Sequence, residues 1–306
     1  MFEDRYTVVV IGSGMAGMTC ALYLHLAGVN VMLVGDYMES SLAYAPVVNN
    51  YPGFCNSDGV SILSSISLQL DTLRVPRLEE RCVAVSLQDG LYRVCHQTDV
   101  ILAEKLVVAT GRRPRLLGLE GEAELIGKGV SLCAVCDGSL YKNKRVAVIG
   151  GGNTAVADSI YLSRVNATVE LLVRKPTLRA TERLDELASR QNISVRYEFT
   201  PVGIVKTPEG KIAVTGADGT RLEYDGVFYA VGSIPNIDML RGLEHLEIGE
   251  SGEIERTPGQ SFYLCGDVSA HRRHQAVIAA ASGAETALEI IGDLAKSTRR
   301  ASSASL

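Results

Sequence analysis

The chain has 306 residues, 46% hydrophobic and 21% charged, and its 35 acidic against 30 basic side chains leave a net charge of −5. That length predicts one large or two medium domains, and an acidic balance without a basic stripe argues against a nucleic-acid surface. No run of about eighteen apolar residues is present, and "MFEDRYTVVV" sets acids ahead of its apolar stretch, unlike a secretory signal. No membrane or nucleic-acid partner is expected, and the chain reads as cytoplasmic.

The first informative stretch is "TVVVIGSGMAG" at Thr7–Gly17. Its β-branched run predicts a buried strand, and Gly12-x-Gly14-x-x-Gly17 turns straight into a helical pattern that ends at Gly28. "VNVMLVG" predicts a second buried strand ending at Gly35. A glycine turn between strand and helix lets a pyrophosphate approach free backbone N–H groups, so the unit reads as a dinucleotide fold. An acid usually closes the second strand to hold a ribose; here Gly35 stands in that place and Asp36 follows it. "EKLVVATGRRP" predicts a strand leaving this domain through Ala109-Thr110-Gly111.

Next comes "SLCAVCDG", with Cys133 and Cys136 in a CxxC. In a reducing compartment this spacing points to a redox couple or a metal. A structural zinc needs four ligands, yet Cys20, Cys55, Cys82, Cys95 and Cys265 are isolated. His25, His96, His245, His271 and His274 form no HxxxH either, so no metal is expected. Cys20, Cys82, Cys95 and Cys265 read as small buried apolar residues, and loop residue Cys55 has no assigned role.

The glycine pattern then repeats. "KRVAVIGGGNTA" predicts a strand and Gly150-x-Gly152-x-x-Ala155, followed by a helix and the strand "ATVELLV". Arg174, Lys175 and Arg179 come directly after it. Cations at that corner favour a 2′-phosphate, hence NADP(H) over NAD(H). "YDGVFYAVGSIPN" makes a similar exit at Gly232–Asn236, and "SFYLCGDV" supplies a last strand with Gly266-Asp267 ahead of a helix rich in small residues. The fold class is therefore α/β: two Rossmann-like, three-layer ββα domains, the second inserted into the first. The boundaries read as 1–113, 114–242 and 243–306, and the Ser-rich basic tail "AKSTRRASSASL" is expected to be disordered.

Taken in order, "IGSGMAG", "NNYPGF", "VVATG", "CAVCDG", "VIGGGNTA", "RKxxxR", "AVGSIPN" and "CGDV…HQAVIAAASG" resemble the low-molecular-weight thioredoxin reductase family of FAD-dependent disulfide oxidoreductases, across about residues 5–293. The resemblance implies FAD in the split domain, on Gly12, Ser13, Gly14, Ala16, Gly17, Gly35 and Asn50. It adds Ala109, Thr110 and Gly111, then Gly266, Asp267, His274, Gln275 and Ala276, with Asp267 on a ribityl hydroxyl. It implies NADPH in the inserted domain, on Gly150, Gly152, Asn153, Thr154, Ala155, Arg174, Lys175 and Arg179. It also implies a homodimer, a domain rotation, and thioredoxin or a similar dithiol protein as partner. Cys136 would lie nearer the flavin as charge-transfer thiolate, Cys133 would attack the substrate disulfide, and Asp137 would carry protons for both.

Two stretches depart from the family pattern. Glu39-Ser40-Ser41 replaces a Gly-Gly-Gln beside the flavin, and Ala157-Asp158 replaces an acidic pair whose first member receives the nicotinamide carboxamide. These departures admit a branch reduced by ferredoxin or by a second FAD in the inserted domain, or a dithiol oxidase that passes electrons to oxygen. A flavin-binding regulator without turnover is a third reading, which a CxxC followed by Asp supports little.

Overall fold

The computed structural model describes residues 5–45, 47–97, 99–243, 246, 254, 261–269 and 274–304, with side chains described as far as residue 297. The chain divides into two compact units, Met1–Arg113 with Ile234–Leu306, and Pro114–Ser233.

The first unit is built on β1 (Arg5–Ile11), α1 (Met15–Leu26), β2 (Val31–Val34), α2 (Gly59–Thr72) and β3 (Arg77–Leu78). β4 (Ala84–Gln88), β5 (Leu91–Cys95) and β6 (Val100–Val108) follow. Val8, Val9 and Val10 are fully buried because both faces of the sheet are covered, which is why β1 reads as a continuous apolar run instead of an alternating one. Among the described residues the sheet runs β3-β2-β1-β6-β5-β4, with a late strand from the chain's end on the free half of β6. β1, β2 and β3 are parallel, whereas β4 and β5 form an antiparallel hairpin continuing onto β6. One apolar cluster packs α1 and α2 on one face, and a second lies under the hairpin on the other.

β7 (Arg112–Pro114) carries the chain into the second unit. There follow α3 (Glu122–Leu125), β8 (Val130–Ser131), α4 (Ala134–Asp137), β9 (Arg145–Ile149), α5 (Asn153–Arg164) and β10 (Thr168–Leu172). α6 (Leu184–Ser189), β11 (Ile193–Arg196), β12 (Pro201–Lys206), β13 (Ile212–Gly216), β14 (Arg221–Tyr224) and β15 (Gly226–Tyr229) complete it. Its parallel sheet runs β11-β10-β9-β15-β8, with α5 against one face and the antiparallel β12-β13-β14 against the other. Each unit thus has the three-layer ββα arrangement.

β16 (Ser233–Pro235) returns the chain and pairs with β7 as a two-stranded ribbon. β17 (Phe262–Leu264) joins β6, and α7 (Ala276–Ala304) closes the first unit. The return lies at Ser233/Ile234, earlier than the predicted 242/243. Asn236 decides this: its N–H bonds the Gly111 carbonyl and its Nδ2 bonds the Thr110 carbonyl, each at 3.0 Å. Leu240, beyond it, is buried in the first unit's core.

The tail also differs from expectation, because α7 continues through it to Ala304. No Gly or Pro follows Gly292 to stop the helix. Ser297 Oγ donates back to the Asp293 carbonyl at 3.0 Å, and Lys296 pairs with Asp293 at 3.5 Å.

The small residues of α7 serve close packing against α1. A Cβ on Gly283 would fall 2.1 Å from the Ala16 carbonyl oxygen, whereas one on Gly292 would meet nothing within 4 Å. Gly283→Ala is therefore expected to destabilise the protein by about 3 kcal/mol. Gly292→Ala should stabilise it by about 0.5–1 kcal/mol through helix propensity. Urea midpoints that move in opposite directions along this one helix check both.

Candidate active site

β8 delivers Ser131 to the edge of the second unit's sheet, and the chain turns at once into the short helix α4. Cys133 caps that helix, and its sulfur is bonded to Cys136. The Cys133 Sγ also accepts the Cys136 amide N–H at 3.2 Å. That N–H aims its dipole at one sulfur of the pair, Cys133. Asp137 ends α4; its Oδ2 accepts the Ser131 hydroxyl at 2.6 Å, while its Oδ1 is buried with no hydrogen-bond partner. Below, α4 sits on α5: Tyr161 OH donates to the Val135 carbonyl at 3.3 Å. A Cβ on Gly138 would lie 2.9 Å from the Tyr161 ring, so glycine is what lets the turn seat there.

Both glycine turns are shaped for phosphate. α1 and α5 begin at Gly14 and Gly152, with no side-chain cap and no acid in the first turn. A Cβ on Gly152 would meet nothing within 4 Å, and one on Gly14 would meet only the Ser40 side chain. Open, uncapped helix N-termini at the carboxyl ends of parallel strands suit a pyrophosphate. The residues present therefore fit a dinucleotide in each unit.

In the first unit, Gly12 takes φ +109° and a Cβ there would come within 2.5 Å of the Ala109 carbonyl oxygen. A Cβ on Gly17 would fall 1.7 Å from the Gly12 oxygen, so both glycines serve turn packing. Ser13 donates its hydroxyl to the Gly35 carbonyl at 2.7 Å, locking the turn to the end of β2. Asn50 and Gln275 meet through an amide–amide bond of 2.8 Å although 225 residues separate them. Thr110 gives its hydroxyl to the Asn236 carbonyl, beside Gly111. Gly266 and half-buried Asp267 lie in a short 3-10 turn after β17, and the Gly266 N–H is held by Ser282 at 3.0 Å. Ala16 is buried against Gly266, Ala276 opens α7, and His274 is exposed just before it.

In the second unit, Ala155 is buried under Gly150, and Thr154 is exposed on the first turn of α5. The Asn153 side-chain Oδ1 accepts from the Thr181 and Glu182 backbone N–H groups, at 2.8 and 3.4 Å. The Arg179 amide bonds the Gly151 carbonyl at 2.7 Å, so the basic loop folds back over the glycine turn. Arg174, Lys175 and Arg179 are exposed, and none has an ion-pair partner among the described residues.

Two hydroxyls escaped sequence reasoning. Ser131 was legible only as the S-x-C pattern of a hydroxyl turn, and Ser282 was hidden among the small residues of α7. His245 and His271 lie outside the described residues. Among those described, no group of three or more His, Cys, Asp or Glu side chains could hold a metal ion.

The departures have clear local structures. Asp36 is spent as a cap, accepting the Met38 amide at 2.8 Å at the head of a 3-10 turn. Ser40 caps a second such turn, Ser41–Tyr44, by accepting from Leu42 N at 3.3 Å. These turns use only negative φ, so the segment follows a path that needs no glycine. Gly59 makes room beneath it, since a Cβ there would fall 1.7 Å from the Leu42 carbonyl oxygen. Asp158 stands one turn before Tyr161 and Leu162, on the α5 face that meets α4. Burial pushes its carboxyl up to about 6.

Residues 6–283 match the family model for pyridine nucleotide-disulphide oxidoreductases. The chain is 33% identical over 300 residues to the thioredoxin reductase of Borreliella burgdorferi, covering 92% of this chain and 90% of that one. It is also 32% identical to a glucosaminate ammonia-lyase of Pseudomonas fluorescens, covering 94% and 96%. Among solved structures, the thioredoxin reductase of Giardia duodenalis superposes with a TM-score of 0.83 at 28% identity, covering 96% of this chain and 100% of that one. The chain belongs to the pyridine nucleotide-disulphide oxidoreductase family. Within it the resemblance is to the low-molecular-weight thioredoxin reductases, and the Cys133–Cys136 pair fits their redox-active site. The protein is thus a thioredoxin-reductase-like, FAD-dependent disulfide oxidoreductase. The family match and these relatives give no support to a second FAD in the second unit. Among the described residues no helix is long and apolar enough to cross a membrane.

The state of Asp158 gives a pH prediction. Its native pKa of about 6 exceeds the ordinary 3.8, so the folded protein holds this proton more tightly than the unfolded chain does. Stability is therefore lost as pH rises from about 4 to about 6. Asp158→Asn is expected to raise stability at pH 7 by about 2 kcal/mol and to leave it unchanged near pH 3.5. Thermal melts at both pH values check this.

Proposed function

We propose that the protein takes electrons from NADPH, passes them through FAD to the Cys133–Cys136 disulfide, and delivers them to a disulfide of thioredoxin or a similar dithiol protein. The observation that carries this reading is the bonded pair itself, with the Cys136 amide on the Cys133 sulfur and Asp137 at the end of the same turn. FAD, when bound, supplies the two-electron relay between nicotinamide and disulfide.

The chain's own residues do the rest. The α1 N-terminus holds the flavin pyrophosphate, and the α5 N-terminus holds that of NADPH. Arg174, Lys175 and Arg179 take the 2′-phosphate. In the reduced protein the Cys133 thiolate attacks the partner disulfide, giving a mixed disulfide and a partner thiolate. The Cys136 sulfur then attacks Cys133, releasing the second partner thiolate and restoring the intrachain bond. Asp137 accepts the Cys136 proton and returns it to the departing sulfur. On the same resemblance we propose a homodimer working in the cytoplasm.

A second reading keeps the disulfide chemistry but changes the donor, to ferredoxin or another flavin, or runs the dithiol toward oxygen. Ala157 favours it, because no carboxylate stands there for the carboxamide, and so does the altered 36–44 segment.

An anaerobic titration with NADPH, followed by flavin absorbance, separates the two. Bleaching by NADPH is expected, with Arg174→Ala raising the concentration required by about tenfold. Bleaching by dithionite but by neither NADPH nor NADH would overturn NADPH as donor and favour the second reading.

A further inference from the structure

Ser131 is 4% exposed and its hydroxyl stands in a branched set of contacts. Its oxygen accepts the Cys133 N–H at 3.2 Å. Its single proton has two acceptors within reach, Asp137 Oδ2 at 2.6 Å and the Cys133 carbonyl at 3.3 Å. A hydroxyl offers one donor and two acceptor positions, so only one of those acceptors is served at a time. With Asp137 ionised the proton goes to the carboxylate, the shorter and charge-assisted bond. With Asp137 neutral and its proton on Oδ1, Oδ2 is a carbonyl oxygen that still accepts the Ser131 hydroxyl, through a weaker neutral bond. Oδ2 is therefore bonded in both protonation states.

We propose that Ser131 is a positioning residue for proton transfer at the redox disulfide: its hydroxyl satisfies Asp137 Oδ2 in both protonation states and leaves Oδ1 as the oxygen that exchanges protons with the thiols. Oδ1 is the one buried side-chain oxygen or nitrogen without a partner among the described residues, as an atom reserved for a transient proton would be. This inference rests on the reading of Asp137 as the proton carrier. The step balances as follows: dithiol and external disulfide exchange one S–S bond for another. The Cys133 thiolate's charge leaves on the first released sulfur, and the Cys136 proton passes through Asp137 to the second. Asp137 returns to its starting state, and no outside oxidant is needed.

Other titratable groups face Asp137. Tyr141, in the following 3-10 turn, has its phenol pushed up by burial and by the Asp137 and Asp225 charges, so it stays neutral across the useful range. From α5, Tyr161 reaches the Val135 carbonyl, and Asp158 lies one turn away on the face toward α4. Because Asp158 titrates near 6, the decisive series is run with and without Asp158→Asn.

The test uses holoprotein carrying the Cys133/Cys136 dithiol, prepared anaerobically with dithiothreitol and desalted. The rate at which it reduces a small aromatic disulfide is followed against pH for wild type, Ser131→Ala, Ser131→Thr, Asp137→Asn and the Ser131→Ala/Asp137→Asn pair. Loss of the hydroxyl leaves the ionised carboxylate short of a donor. The acidic limb is therefore expected to move up by about one pH unit in Ser131→Ala. It should return in Ser131→Thr, and the double variant should match Asp137→Asn alone. Retained flavin absorbance shows that each variant is folded. A Ser131→Ala profile that superimposes on wild type, while Asp137→Asn abolishes the limb, overturns the role of Ser131 and spares that of Asp137. A limb that survives Asp137→Asn overturns both.

Discussion

A phosphate can be gripped by backbone amides only where the main chain comes within contact distance of itself, and this protein arranges that twice. In the first unit a Cβ on Gly17 would sit 1.7 Å from the Gly12 oxygen; in the second, one on Gly150 would sit 2.4 Å from the Ala230 oxygen. With no room for even a methyl group, each turn brings strand and helix together and leaves the helix N-terminus uncapped and open. The other elements brace this arrangement. Gly283 lets α7 press on Ala16, Ser282 fixes the Gly266 amide, and Ser13 ties the turn to β2.

The redox site uses a different economy. α4 is too short to be stable alone, and its position comes from contacts on either side: Ser131 in front, Tyr161 and Leu162 behind. Ser131, which holds the turn, therefore also holds Asp137. On α5, the position that would carry a nicotinamide-facing carboxylate is Ala157. The neighbouring acid, Asp158, lies on the α4 side and is partly neutralised by burial.

What was legible in the sequence was what is local along it. The two glycine turns, the CxxC-Asp and the basic triad each occupy a dozen residues or fewer; spacing picks them out, and the family resemblance supplies the roles expected of them. What was not legible depends on partners far away in the chain. Asn236 looked like part of the exit from the second fold until its bonds to Thr110 and Gly111 assigned it to the first unit. Asn50 and Gln275 belong together only in space. The Ser-rich tail read as disorder on composition alone, yet the helix reaches it without meeting a stop. Asp36, a tempting ribose acid one place late, proved to be a cap.

The claim on which the account stands is that Cys133 and Cys136 form a working two-electron store coupled to the flavin. An anaerobic reductive titration of the oxidised holoprotein with dithionite, counted per flavin, tests it. The wild type should take up two electrons beyond the two that the flavin accepts, and Cys136→Ser should lose that extra pair. Equal uptake by wild type and Cys136→Ser would mean that the disulfide is not in redox contact with the flavin, and would contradict the account.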